Sequence, residues 1–268
     1  MQKIYRSFLA TLVLFSVSTG VSAKEVAVMI SGGFKAALDK LAPQFEAKSG
    51  VRIILISGPS MGKTSQAIPA RLARGENADV VIMVGDALNN LEKDNWLRPG
   101  SRVELADSSI GMVVKQGAPE PNIKKDTDLR NTLLQAKSIA YSDSASGQYV
   151  SSQLFKKLDI EDKVKGKAHM IQRIPVASEV AKGKYAVGFQ QVSELLPIPG
   201  VTFIGELPKD VQYVTRFAGA VTAKAEHWRE GKALLDFLSS PEAQNTIRAT
   251  GMRSLTAELP VKQRDTVQ

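Results

Sequence analysis

Apolar and polar positions along this chain switch repeatedly between a period of two and a period near 3.6. Residues 25–30 read as a strand, and 34–49 follow as a helix, with Phe34, Leu38, Leu41 and Phe45 at helical spacing. Gly50 ends that helix, and 51–57 is the next strand-like run. The pattern then predicts a helix from about Met61 to Arg74, closed by Gly75. Residues 79–84 form a continuous apolar run of the kind buried in parallel sheets. A helix over 86–93 leads to Trp96. The run 110–115 reads as a strand crossing into a second half, where 138–141, 167–171 and 186–189 are short strands. Helical stretches at 147–157 and 178–183 separate them. Residues 211–222 read as a returning strand, and 227–252 as an amphipathic helix pair broken at Ser239–Pro241. Trp96 and Trp228 look like helix-packing residues. This alternation predicts an α/β fold with open, mostly parallel sheets flanked by helices on both faces.

The N-terminus has a different character. Lys3 and Arg6, the apolar run 8–17 and the small residues Val21-Ser22-Ala23 form a cleavable export signal over 1–23. The expected divisions after it are a first lobe from 24–110, a second lobe over 111–210, a return to the first lobe with two helices over 211–258, and a frayed polar tail at 259–268. No later apolar run is long enough to span a membrane. The expected location is the periplasm, and the expected state is a monomer. A chain without cysteine forms no disulfide and has no thiol chemistry. The net charge of +8 falls to +6 when Lys3 and Arg6 leave, a mild excess compatible with a small anionic ligand. Nucleic acid is excluded as a partner, because the cations are scattered and aromatics are few. His169 and His227 lie far apart without metal-ligand spacing, so no metal and no cofactor are expected.

The candidate chemistry lies in two strand-then-Gly/Ser turns, "MISGGF" and "ISGPSMGKT", about one βαβ unit apart. Each is expected to open a helix whose first N–H groups are bare, and two such turns facing one gap make an anion receptor. Ser31, Gly32, Gly33, Ser60 and Met61 are therefore candidate ligand-binding residues. The segment from Gly58 to Thr64 ends in Gly-Lys-Thr but is one residue short of the P-loop spacing, and a nucleotide site is rejected. Ser60 and Lys63 have the Ser-x-x-Lys spacing of serine acylases without the accompanying signatures. They are the candidate catalytic pair, Lys63 being either a cation or base in the site or a solvent-facing lysine. Among the arginines, Arg216 sits mid-strand, where a charge needs a reason, and is a candidate ligand contact. Arg173, just after a strand, can reach a cleft; Arg71 and Arg74 fall late in their helix and face water. Asp143 either takes a proton or caps the following helix, and Glu179 has the same capping explanation. Gln190 and Gln191, followed by Ser193-Glu194, supply donors and acceptors together, a mixture suited to carboxyl groups.

Residues 31–83, from SGGFKAALDK to VVIM, resemble the opening of the molybdate-binding-protein-like family of type II periplasmic solute-binding proteins. Residues 237–252, FLSSPEAQNTIRATGM, resemble its closing helices, so the resemblance covers nearly all of the mature chain. It implies two α/β lobes joined by two crossing segments, with a ligand cleft that closes by hinge motion. Carried over by position, the family's neutral oxyanion donors fall on Ser31, on Ser60 and on Ser144, Ala145 and Ser146 of the third loop. Gln191 stands where the family has a tyrosine, a departure that points away from molybdate. Two functions follow from the resemblance. One is a passive receptor for molybdate, tungstate or a related anion, using Ser31, Ser60 and Ser146 and an ABC permease as partner. The other belongs to an aconitate isomerase branch, moving an allylic proton without a cofactor, with Ser31, Ser60 and Lys63 around the substrate. Lys63 and the pair Gln190-Gln191 favour the organic tricarboxylate, and so the isomerase.

Overall fold

The computed structural model describes residues 24–255. The expected export signal at 1–23 lies outside the described residues, as does the expected frayed tail. Among the described residues, eleven strands form two mixed sheets. They are β1 (Glu25–Ile30), β2 (Arg52–Ser57), β3 (Val80–Val84), β4 (Val103–Ser108), β5 (Ile110–Lys115), β6 (Ile139–Ser142), β7 (Ala168–Ile171), β8 (Val187–Gln191), β9 (Val201–Glu206), β10 (Thr215–Val221) and β11 (Arg253–Ser254). The first sheet has the order β11-β4-β10-β3-β1-β2 and the second β7-β6-β8-β5-β9. This is the two-lobed α/β architecture the alternation predicts.

The expectation of mostly parallel sheets holds only where βαβ units run in sequence. β1 is parallel to β2 and β3, and β6 to β7 and β8. The strands next to the lobe crossings are antiparallel: β10 to β3 and β4, and β5 to β8 and β9. The chain passes from one sheet to the other at Ser109, between β4 and β5, and returns between β9 and β10. β4, β9 and β11 escape the sequence reading because their apolar positions are too interrupted by polar ones to give either period.

β3 is buried along its whole length, as its Val-Val-Ile-Met-Val sequence requires of a central strand. The helix Gly32–Ser49 buries Phe34, Ala37, Leu38, Leu41 and Phe45 on that sheet and ends at Gly50, whose φ of 69° is the left-handed cap. The helix expected from Met61 to Arg74 is instead an irregular loop followed by a short helix, Ile68–Ala73. Pro69 explains this. It fits the first turn of a helix starting at Ile68, but inside a longer helix it would lack the N–H to bond four residues back. Helices Trp228–Ser239 and Pro241–Arg248 break at Ser240 and cover the first sheet. None of the described helices is long and apolar enough to cross a membrane.

Candidate functional site

The parallel register of β1 and β2 pairs Ile30 with Ser57, so the two Gly/Ser loops leave the sheet side by side. They are tied there, Gly58 N–H donating to Ile30 O at 3.0 Å and Ser31 N–H to Ile82 O at 3.0 Å. Opposite them, β6 ends at Ser142 before a loop with Asp143 and Ser144, and β8 ends with Gln190 and Gln191 and runs directly into the short helix that carries Glu194. Between the two sets lies a cleft of about 390 Å³. Gly32, Ser57, Gly58, Pro59 and Gln66 line it from the first lobe. Ser142, Asp143, Ser144, Arg173, Ile174, Pro175, Gln190 and Glu194 line it from the second.

Of the expected ligand residues, this brings Gly32, Ser144 and Gln190 into the cleft wall. The others stand behind or away from it. Ser31 is buried at the start of helix Gly32–Ser49, and its Oγ has no hydrogen-bond partner among the described residues. Gly33 is covered by Phe217, and its carbonyl accepts from Ser193 Oγ at 2.6 Å, a direct bond between the lobes. Met61 packs on the first-lobe core. Ala145 and Ser146 are buried beneath the third loop, Ser146 Oγ lying 3.0 Å from Ser142 Oγ. Gln191 is buried and donates to Thr215 Oγ1 at 3.0 Å.

Three of the expected site residues, Ser60, Lys63 and Arg216, stand outside the cleft wall. Ser60 is fully buried and serves as a tether, its Oγ accepting from Val84 N–H at 2.9 Å. Lys63 is exposed on the irregular loop and does not line the cleft wall. Arg216 faces its antiparallel neighbour β4, where it pairs with Asp107 and, at 3.7 Å, with Glu104. The mid-strand charge is thus explained by an ion pair across the sheet. The second Gly/Ser turn also fails as a helix start, and its Gly58 N–H is spent on Ile30; only the first turn offers a helix N-terminus to the cleft.

The residues that sequence reasoning passed over or left open are charged. Asp143 does not cap the next helix. That work falls to Ser142 Oγ, which accepts from Gly147 N–H at 3.2 Å. Burial raises the proton affinity of the Asp143 carboxyl above the usual range, against the pull of its own N–H and of Arg173. Its Oδ2 is buried without a hydrogen-bond partner. Arg173 holds a left-handed backbone at φ 68°, a conformation that costs a non-glycine residue about 1 kcal/mol or more and that clusters at ligand clamps. Glu194 is half-buried, four residues after Gln190, on the short helix Val192–Leu195. Gln190 Oε1 accepts from Val176 N–H at 3.0 Å, which fixes the amide so that Nε2 donates to Glu194 Oε1 at 2.9 Å. Burial pushes the Glu194 carboxyl up to about 7; the Gln190 bond opposes this and the nearby Asp143 charge adds to it. Gly32 is what lets that carboxyl in. A Cβ there would lie 2.0 Å from Glu194 Oε1. The local signal was present as Gln-x-x-x-Glu on a strand-to-helix turn, but no periodicity marks a carboxyl that crosses a cleft.

Chemically, the arrangement offers one guanidinium for a carboxylate, the bare first N–H groups of a helix, and two carboxyls whose proton affinities burial raises. No cluster of His, Asp, Glu or Cys suited to a metal exists among the described residues.

The model for the bacterial extracellular solute-binding protein family matches residues 26–253. An aconitate isomerase from Pseudomonas sp is 42% identical over 231 residues, 86% of this chain and 88% of the relative. The molybdate-binding protein ModA of Azotobacter vinelandii is 27% identical over 235 residues, 85% of this chain and 90% of that one. The solved Azotobacter vinelandii periplasmic molybdate-binding protein superposes with a TM-score of 0.68 at 18% identity, covering 87% of this chain and all of its own, which shows a shared fold.

Proposed function

Because the chain belongs to the bacterial extracellular solute-binding protein family, we propose that it is an exported member that isomerises a small unsaturated polycarboxylate in its cleft. The best match is conversion of trans-aconitate to cis-aconitate in the periplasm. The observation that carries this reading is the wall of the cleft formed by Asp143, Arg173 and Glu194, a cation beside two titratable carboxyls. A receptor for a fully deprotonated metal oxyanion gains nothing from carboxyl groups, which repel it; a proton-transfer enzyme needs them. The 42% identity to an aconitate isomerase supports the same choice.

The reaction shifts a double bond along three carbons. A proton leaves the allylic CH2, the electron pair spreads into the adjoining carboxylate, and a proton returns at the far end. Arg173 is placed to take a substrate carboxylate in two-point geometry. The N-terminal N–H groups of helix Gly32–Ser49, with Ser57 and Ser144, face the charge that spreads in the intermediate. The lobes close around these groups: Asp143 O would lie 3.1 Å from a Cβ on Gly62 of the opposite lobe.

A second reading, passive uptake with an ABC permease as partner, is favoured by the buried, unpaired Ser31 Oγ at a helix N-terminus, a ready anion donor. One experiment separates the two. The purified protein is mixed with trans-aconitate and followed by its proton spectrum, while molybdate is titrated by calorimetry. Appearance of cis-aconitate signals with no tight molybdate binding supports the enzyme. Unchanged signals with tight molybdate binding would replace it by the receptor.

A further inference from the structure

Two carboxyls line the cleft, and they are held differently. Asp143 sits in a loop pinned at both ends, its N–H donating to Ile171 O at 3.1 Å and its neighbour Ser142 holding the next turn. Its charge is supported by Arg173. Glu194 reaches across from the second lobe into space that only a glycine at position 32 leaves open, with a single oriented amide on one carboxyl oxygen. It therefore stands at the helix start where an anionic ligand would also be drawn. That makes it the group a bound substrate must touch.

We propose that Glu194 is the catalytic residue that carries the proton between the two allylic carbons, with Gln190 positioning it and Arg173 holding a substrate carboxylate. This rests on the isomerase reading and names its acid–base group. In the first step the Glu194 carboxylate takes the proton from the CH2 carbon. That C–H bond breaks, a carboxyl O–H forms, and the electron pair passes into the conjugated substrate. In the second step the O–H breaks and a C–H bond forms at the former vinyl carbon. The double bond moves by one position, Glu194 is again a carboxylate, and nothing is oxidised or reduced.

The proton affinity of Glu194 suits the role, because near neutral pH both of its forms are populated and the proton can be taken and returned. The neighbouring charges leave that balance to the cleft itself. Asp143 is the charged group that acts on Glu194, and Arg173 lines the same wall. On the helix packed against it, Lys35 pairs with Asp39 at the exposed face. Glu179 on helix Val176–Ala181 is occupied by Lys182 and Lys184. β8 has no titratable residue, and Lys115 lies at the far end of β5 beside Gly183.

The test compares the wild type with Glu194→Gln and Glu194→Asp in the full chain. Turnover of trans-aconitate is followed by proton spectra, and its binding by calorimetry and by the ligand-induced rise in melting temperature. The expected result is a fall in kcat of about 10²–10⁴-fold in Glu194→Gln, the range of one general base, with Kd for trans-aconitate within about tenfold. Glu194→Asp, which keeps the carboxyl, recovers part of the rate. Turnover in Glu194→Gln within about threefold of wild type overturns the assignment while leaving the isomerase reading intact. So does loss of binding that Glu194→Asp does not restore, since Glu194 would then be an anchor. A wild type inert toward trans-aconitate removes the isomerase reading, and the assignment with it.

Discussion

The first-lobe wall of the cleft presents Gly32, Ser57, Gly58, Pro59 and Gln66, without a charged side chain, whereas the second-lobe wall presents Asp143, Arg173 and Glu194. Both walls are made at the ends of parallel strands, where an α/β sheet places its ligands. What differs is how each loop spends its polar groups. In the first lobe, Gly58 N–H and Ser60 Oγ are consumed in holding the loops to β1 and β3. In the second, Ser142 does the holding, and the charged side chains beside it remain available. The cleft thereby carries titratable carboxyls on one side only, with a neutral wall on the other.

The contrast is broken most severely at Gly147. A Cβ there would lie 1.6 Å from Ser142 O, so the third loop must move. Gly147→Ala is expected to cost about 3 kcal/mol or more of stability, read by denaturant unfolding. The next effect comes from the Glu194 carboxyl. Its proton affinity in the folded protein, about 7 against 4.5 ordinarily, means the folded state binds the proton more tightly. Stability is therefore lost as pH rises from about 4.5 to 7, by about 3 kcal/mol in total. Glu194→Gln is expected to melt well above wild type at pH 8 and level with it near pH 4.

The neutral positions legible in the sequence fall on both walls, Gly32 on the first and Ser144 and Gln190 on the second, whereas the charged groups were harder to read. A strand followed by Ser-Gly-Gly announces a helix start through backbone requirements alone, and Gly32 falls where that predicts. Ser144 lies just beyond the end of β6 and Gln190 at the end of β8, positions that strand endings mark. Ser60 and Arg216 stand outside the cleft wall for a shared reason: a polar side chain in an apolar context has two explanations, a ligand or a partner within the fold, and here each has a partner. Val84 N–H and Asp107 are partners brought up by sheet pairing across 24 and 109 positions of sequence, which no local pattern reveals. Glu194 was hidden by the opposite circumstance, a commonplace charged residue on a short helix that becomes buried only when the lobes meet. The helix expected from Met61 failed because Pro69 outweighs the apolar spacing around it.

Smaller changes sharpen the difference between the walls. Arg173→Gln is expected to raise Kd for trans-aconitate about 10- to 100-fold, the worth of hydrogen bonds to a charged group, without lowering the melting temperature of the free protein. Calorimetry and a melting curve check both halves. Ser60→Ala should do the reverse. It leaves the buried Val84 N–H unpaired, at a cost of about 1–2 kcal/mol in unfolding free energy, while affinity changes less than about threefold.

The most direct measurement is the pH dependence of kcat/KM for trans-aconitate between about pH 5 and 9, in wild type and in Glu194→Asp. A group that must start as a carboxylate makes the rate rise with pH through a single ionisation near 7 and then level off. The expected result is that rise in the wild type, with its midpoint displaced in the aspartate variant. A rate that is flat from pH 6 to 8, or the same midpoint in both proteins, would contradict proton transfer by this wall of the cleft.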